Sequence, residues 1–159
     1  DMDPNTPFAR DLPRGEIPDA ARPPRGCSFH PRCPLATATC GWEPRDPKAL
    51  VEEHWTRVPV AQYEREHALV GGLADLDHSE GRAVVTPRGG TVADVEAMFD
   101  RIRTENSAEP LWRGVASTTA TAEGLVFDFV PSDEVVLRAS GPSEVACVLY
   151  PPEGAAAHT

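Results

Sequence analysis

The sequence predicts an α+β fold: an irregular proline/cysteine-rich N-terminal arm, two short helices, then a small antiparallel sheet backed by one helix. Three observations carry this reading. Proline interrupts the first 26 residues at Pro4, Pro7, Pro13, Pro18, Pro23 and Pro24, too often for periodic structure. Apolar residues then recur at helical spacing at Val92, Val95, Met98, Phe99 and Ile102. Beyond Pro110 the spacing changes to period two at Leu125, Phe127 and Phe129.

Length and composition bound what the chain can be. Its 159 residues hold one ordinary domain plus an irregular arm, and 40% apolar with 6% aromatic residues suit a modest core. A net charge of −10 argues against nucleic acid, whose phosphates need a basic face, and equally against an anionic lipid leaflet. No apolar run approaches the ~20 residues of a membrane helix, so no direct membrane insertion is expected. The expectation is a soluble chain in three parts: an extended arm and cysteine loop over 1–45, an α+β insert over 46–150, and a tail over 151–159.

The elements follow in order. Residues 1–14 read as a plain linker leading into the arm. Asp46 is placed to cap a helix with Pro47 at its first position, burying Leu50, Val51, His54, Trp55 and Val58. Pro59 separates it from a second helix, Val60 to Val70, which the pair Gly71-Gly72 ends. Leu73 to Gly81 is a polar loop, Arg82 to Thr86 a strand and Pro87 to Gly90 a turn. Thr91 caps the third helix, with Asp94 completing a capping box. Strands over Leu125 to Val130, Glu134 to Ala139 and Glu144 to Tyr150, joined by tight turns, would form a meander against that helix.

Chemistry concentrates in G-C-S-F-H-P-R-C-P-L-A-T-A-T-C-G-W, Gly26 to Trp42, which holds Cys27, Cys33 and Cys40. The fourth cysteine is Cys147, on the expected last strand. A loop this rich in proline and small residues offers only Phe29, Leu35 and Trp42 as large apolar groups, so a link between its thiols is expected to order it. Disulfide, zinc and an iron–sulfur cluster are all open. The C-x5-C-x6-C spacing matches neither the short knuckles of structural zinc sites nor the common ferredoxin patterns. No signal peptide points to a secreted disulfide framework, which favours a metal or cluster.

Other signals read as ordinary structure. His54 and His67 lack the spacing that sets two imidazoles on one helix face, and read as helix-surface or half-buried groups; His30 stands beside the cysteines or in solvent. The P-R-G-G turn with Arg88 before the Thr91 helix is read as a turn rather than an anion site. Glu52, Glu53, Glu64, Glu66, Asp75 and Asp77 read as a solvated surface. No G-x-S-x-G elbow and no G-x-x-x-x-G-K-[ST] phosphate loop occurs.

The run G-E-I-P-D-A-A-R-P-P-R-G-C-S-F-H-P-R-C-P-L-A-T-A-T-C, Gly15 to Cys40, resembles the C-terminal extension of oligopeptide/dipeptide ABC transporter ATP-binding subunits. The resemblance includes a later V-A-C-V-L-Y, Val145 to Tyr150, where that family has a histidine in place of Val148. It implies that Cys27, Cys33, Cys40 and Cys147 are the ligands of a four-iron four-sulfur cluster, with zinc as the alternative cofactor. Chain from Gly41 to Ala146 separates the third and fourth cysteines, longer than the family's spacing, so an insertion within the cysteine motif is expected. The resemblance implies a non-catalytic iron–sulfur-binding domain of a peptide importer's ATP-binding subunit, contributing to subunit packing or regulation. ATP would be bound only in a missing part of that subunit, and the start at Asp1 fits an excised C-terminal portion. Expected partners are the second ATP-binding subunit and the membrane permease subunits, at the cytoplasmic face of the membrane. The alternative is a free-standing zinc-binding or ligand-sensing interaction module.

Overall fold

The computed structural model describes residues 20–73, 76 and 81–150. The expected linker, the tail over 151–159, His78, His158 and the loop carboxylates Asp75 and Asp77 lie outside the described residues.

Helix α1 spans Arg45–Trp55 and α2 spans Val60–Val70. The first begins two residues earlier than Asp46-capping predicts, with Pro44 at its N-cap. Asp46 instead sits in the first turn and accepts the N–H of Glu43, the residue before the N-cap, at 2.7 Å, and no side chain caps the helix. Its buried face comprises Asp46, Pro47, Leu50, Val51 and His54, while Trp55 is only half-buried. Helix α2 ends at Gly71 with φ of 65°, where a side chain would be strained.

Strand β1, Arg82–Val85, leads into α3, Val92–Glu105. Thr91 accepts the Asp94 N–H, and Asp94 accepts the Thr91 N–H at 2.8 Å, forming the expected capping box. After the single turn α4, Leu111–Gly114, come β2, Val115–Ala120, and β3, Leu125–Phe129. The three strands make one antiparallel sheet in the order β1-β3-β2. Phe127 lies opposite Ala83 and Thr118, and a register shift occurs between Val115 and Ser117. Helix α3 covers the sheet with Val95, Met98, Phe99 and Ile102, and Phe99 meets Phe127 edge-on at 4.9 Å.

The fold class is the α+β arrangement expected, but the strand order is not the meander. Leu125–Phe129 takes its partners from β1 and β2, so both its edges are already occupied. The later strands are shorter, β4 at Arg138–Ser140 and β5 at Ser143–Val145, and pair only with each other. Cys147 therefore lies just past β5 rather than within a strand.

One cluster of buried side chains runs from Ala36, Cys40 and Trp42 through Leu50 and Val51 to α3 and the sheet. Among the described residues no helix is long and apolar enough to cross a membrane.

Candidate metal centre in the cysteine loop

Two glycines close the loop. Gly26 and Gly41 have φ of 61° and 111°, and a Cβ on either would collide with backbone carbonyl groups of the opposite limb. That close approach lets the Cys27 N–H donate to the Cys40 carbonyl at 2.9 Å. Below it, Glu43 binds both limbs: one carboxylate oxygen accepts the Arg25 N–H at 3.3 Å and pairs with Arg45 at 2.8 Å.

Inside the loop, His30–Arg32 form one 3-10 turn, continued by Cys33 N–H to the His30 carbonyl and Ala36 N–H to the Cys33 carbonyl, both 3.1 Å. His30 does not face solvent: it is 1% exposed. Its Nδ1 donates to the Cys27 carbonyl at 2.8 Å, and its Nε2 lies 3.5 Å from Asp46 Oδ2. The ring stands edge-on to Trp42 at 4.8 Å. Trp42 donates from Nε1 to the Thr37 carbonyl at 2.8 Å and lies against Gly114, where any Cβ would enter its ring. Arg113 reaches the Ala36 carbonyl at 3.0 Å, and Asp133 N–H reaches the Thr39 carbonyl at 2.9 Å. The loop is thus built into the α+β body by chain far away in sequence.

The sulfurs differ in setting. Cys40 is buried; Cys27, Cys33 and Cys147 are half-buried, and all four are free thiols. The Thr37 N–H donates to Cys40 Sγ at 3.2 Å, and the Thr37 hydroxyl lies 3.3 Å from the same atom. Cys27 and Cys33 pack against the common core, as does Val148 beside Cys147. Among the described residues no three His, Cys, Asp or Glu side chains stand as a group able to hold a metal ion. The loop therefore supplies free thiols, with polar hydrogens directed at one of them, without gathering them into a metal-holding group.

Residues 1–40 match the family model of the oligopeptide/dipeptide transporter, C-terminal region. The match ends at Cys40 and takes in the segment whose resemblance the sequence shows, Gly15 to Cys40. A probable peptide ABC transporter ATP-binding protein of Sinorhizobium fredii is 62% identical over 26 residues, 16% of this chain and 7% of that protein. A putative peptide import ATP-binding protein of Brucella ovis is 47% identical over 38 residues, 24% of this chain and 12% of its own length. The di/tripeptide transport ATP-binding protein DppF of Pseudomonas aeruginosa is 56% identical over 27 residues, 17% of this chain and 8% of that protein. The matched segments are thus a small part of these curated relatives. No solved structure matches the chain.

A second polar cluster lies where sequence reading placed a solvated surface. Glu66 is 4% exposed and His54 3%. Glu66 Oε2 accepts from Trp55 Nε1 and from His54 Nε2, each at 3.0 Å, while Oε1 accepts from Gln62 at 2.9 Å. On its other side His54 Nδ1 lies 3.4 Å from Glu105. Burial pushes the Glu66 carboxyl up, but the Gln62 bond, the charge of His54 and the bonds from Trp55 and His54 outweigh it and hold it below its ordinary value. The clue in the sequence was a histidine and a tryptophan side by side on an apolar helix face. Their nitrogens need an acceptor once buried.

The P-R-G-G turn is a turn. Arg88 N–H donates to the Leu69 carbonyl at 2.7 Å, and the Asp94 carboxylate occupies the Thr91 N–H at the start of α3. A cavity of about 450 Å³ opens beside it between Gly71, Leu73, Val85 and Arg88.

Proposed function

We propose that this chain is a non-catalytic C-terminal region of the ATP-binding subunit of an oligopeptide/dipeptide ABC importer. The observation that carries the reading is the family match ending at Cys40, on a loop that is itself a closed element joined to the body of the domain. Cys27, Cys33, Cys40 and Cys147 are its ligand set, for a four-iron four-sulfur cluster or alternatively zinc. A bound cluster would supply a rigid multi-thiolate link between the loop and the segment after β5. The reaction of the subunit, ATP hydrolysis, belongs to a nucleotide-binding domain whose phosphate loop is absent from these residues.

The region's role is subunit packing or regulation. Phe29 and Leu35 support this, since they stand 48% and 65% exposed on a loop whose other side is buried. Its partners are the second ATP-binding subunit and the permease subunits, at the cytoplasmic face of the membrane. Affinity purification of the tagged protein from detergent extracts tests this reading. Recovery of a peptide-importer permease and a second ATP-binding subunit is expected; recovery of neither contradicts it. The chain alone should show no ATPase or peptidase turnover. Turnover that one substitution within the chain abolishes would overturn the non-catalytic assignment.

A further inference from the structure

We propose that the free edge of β2 pairs antiparallel with the β2 edge of a second copy of this chain, extending the three-stranded sheet through a twofold axis at Thr119. This interface does not involve the cysteine ligand set.

The hydrogen-bond ladder fixes which groups of β2 face outward. Thr121 N–H donates to the Gly124 carbonyl at 2.9 Å, and on the far side of β3 Phe129 N–H donates to the Gly81 carbonyl at 2.9 Å. Backbone groups alternate in direction along an antiparallel strand. Ser117 and Thr119 therefore bond to Asp128 and Val126 opposite them, and Thr118 and Ala120 direct their N–H and C=O away from the sheet. Among the described residues no hydrogen bond reaches those outward groups. Every residue over 116–120 is exposed.

The edge also lacks the usual protection against pairing. Edge strands are commonly blunted by charge, proline, shortness or a bulge. V-A-S-T-T-A has no charge and no proline, and at six residues it is the longest strand of the sheet. Its register shift, between Val115 and Ser117, leaves 117–120 regular.

The occupant follows from charge and sequence. A twofold at Thr119 sets Thr118 of one copy opposite Ala120 of the other, where their outward groups exchange hydrogen bonds in reciprocal pairs. Thr119 then lies opposite itself and Ser117 opposite Thr121, so small uncharged side chains meet and no like charges face one another. In a chain of net charge −10, this neutral strip lets two copies approach without placing carboxylates together. Segments outside the described residues make poorer strands: prolines interrupt 1–19 at Pro4, Pro7, Pro13 and Pro18, and 151–159 reads P-P-E-G-A-A-A-H-T. Residues 74–80 lead into β1, at the opposite edge of the sheet. Pairing along one strand buries little surface, so the dimer is reversible and forms as concentration rises.

The test is analytical ultracentrifugation of the full chain in reducing buffer over a wide concentration range, with amide hydrogen exchange at low and high concentration. A monomer–dimer equilibrium is expected, tightening as added salt screens the shared negative charge. Exchange at Thr118 and Ala120 should slow in the dimer. Thr118→Pro removes an outward donor that the ladder does not use, and Thr119→Lys sets a cation opposite its own copy. Each should weaken the dimer about tenfold or more and leave the circular-dichroism spectrum unchanged. If Thr118→Pro does not fold, Thr119→Lys and wild-type exchange still decide. A wild type monomeric at every concentration overturns the proposal, whether or not another extended chain binds the edge. So does a dimer that the folded variants leave undiminished, or one in which the Thr118 and Ala120 amides exchange as in the monomer.

Discussion

Glu66 is buried on α2 where partners from α1 and α3 reach it and still held as a carboxylate, because every neighbour directed at it is a donor or a cation: Gln62, His54, Trp55 and, at 3.5 Å, Arg101. Burial acts against the charge, and the donors outweigh burial, so its folded pKa lies below the ordinary 4.5. The sign of the consequence follows. A carboxyl whose pKa is lower folded than unfolded stabilises the fold fully above the unfolded value and loses that contribution as pH falls through the folded one. Thermal melts should therefore show stability declining below about pH 4.5, and Glu66→Gln should flatten that decline. Glu66→Ala leaves the buried nitrogens of His54 and Trp55 without an acceptor, and should cost about 3 kcal/mol at neutral pH by chemical denaturation. A cost within 0.5 kcal/mol of zero, the usual range for a surface substitution, would mean that the cluster is solvated.

Among the elements, α2 and α3 were legible because their signals are local. Pro59 and Gly71 bracket one helix, and Thr91 with Asp94 caps the other. Val115–Ala120 was not legible: V-A-S-T-T-A has no alternation to read, since it is an edge strand with all but its first residue exposed. The sheet order was hidden for a related reason. Apolar period two identifies β3 as a buried strand, but pairing depends on which segments reach its edges, and β1 arrives from 40 residues earlier in the register Val85 opposite Leu125. The cysteine loop was legible as a chemical motif and not as a packed one. Its anchoring by Arg113, Gly114 and Asp133 depends on residues distant in sequence. This changes what a substitution should do. Trp42→Ala should cost about 3–5 kcal/mol and lower hydrogen-exchange protection in both the loop and the sheet, because the indole belongs to the common core. Protection lost only over residues 27–42 would make the loop an independent unit. Cys33→Ser should leave α3 and the sheet protected.

For the whole molecule, the proposed ligand set would join the four thiols to one another across the domain. Chain from Gly41 to Ala146 supplies much of the core against which Cys27, Cys33, Cys40 and Val148 pack, so the body built by that chain carries both the loop cysteines and the segment after β5. Metal should accordingly add stability to the folded state in proportion to its affinity and concentration, and its removal by a chelator should lower the melting temperature without unfolding the helix and sheet. The most direct measurement is iron, sulfide and zinc per chain after anaerobic purification, made on the wild type and on four single Cys→Ser variants. The account predicts a four-iron four-sulfur stoichiometry, or one zinc, lost or sharply reduced in every variant, Cys147→Ser included. A metal-free wild type, or a Cys147→Ser variant with an undiminished metal content, would contradict it.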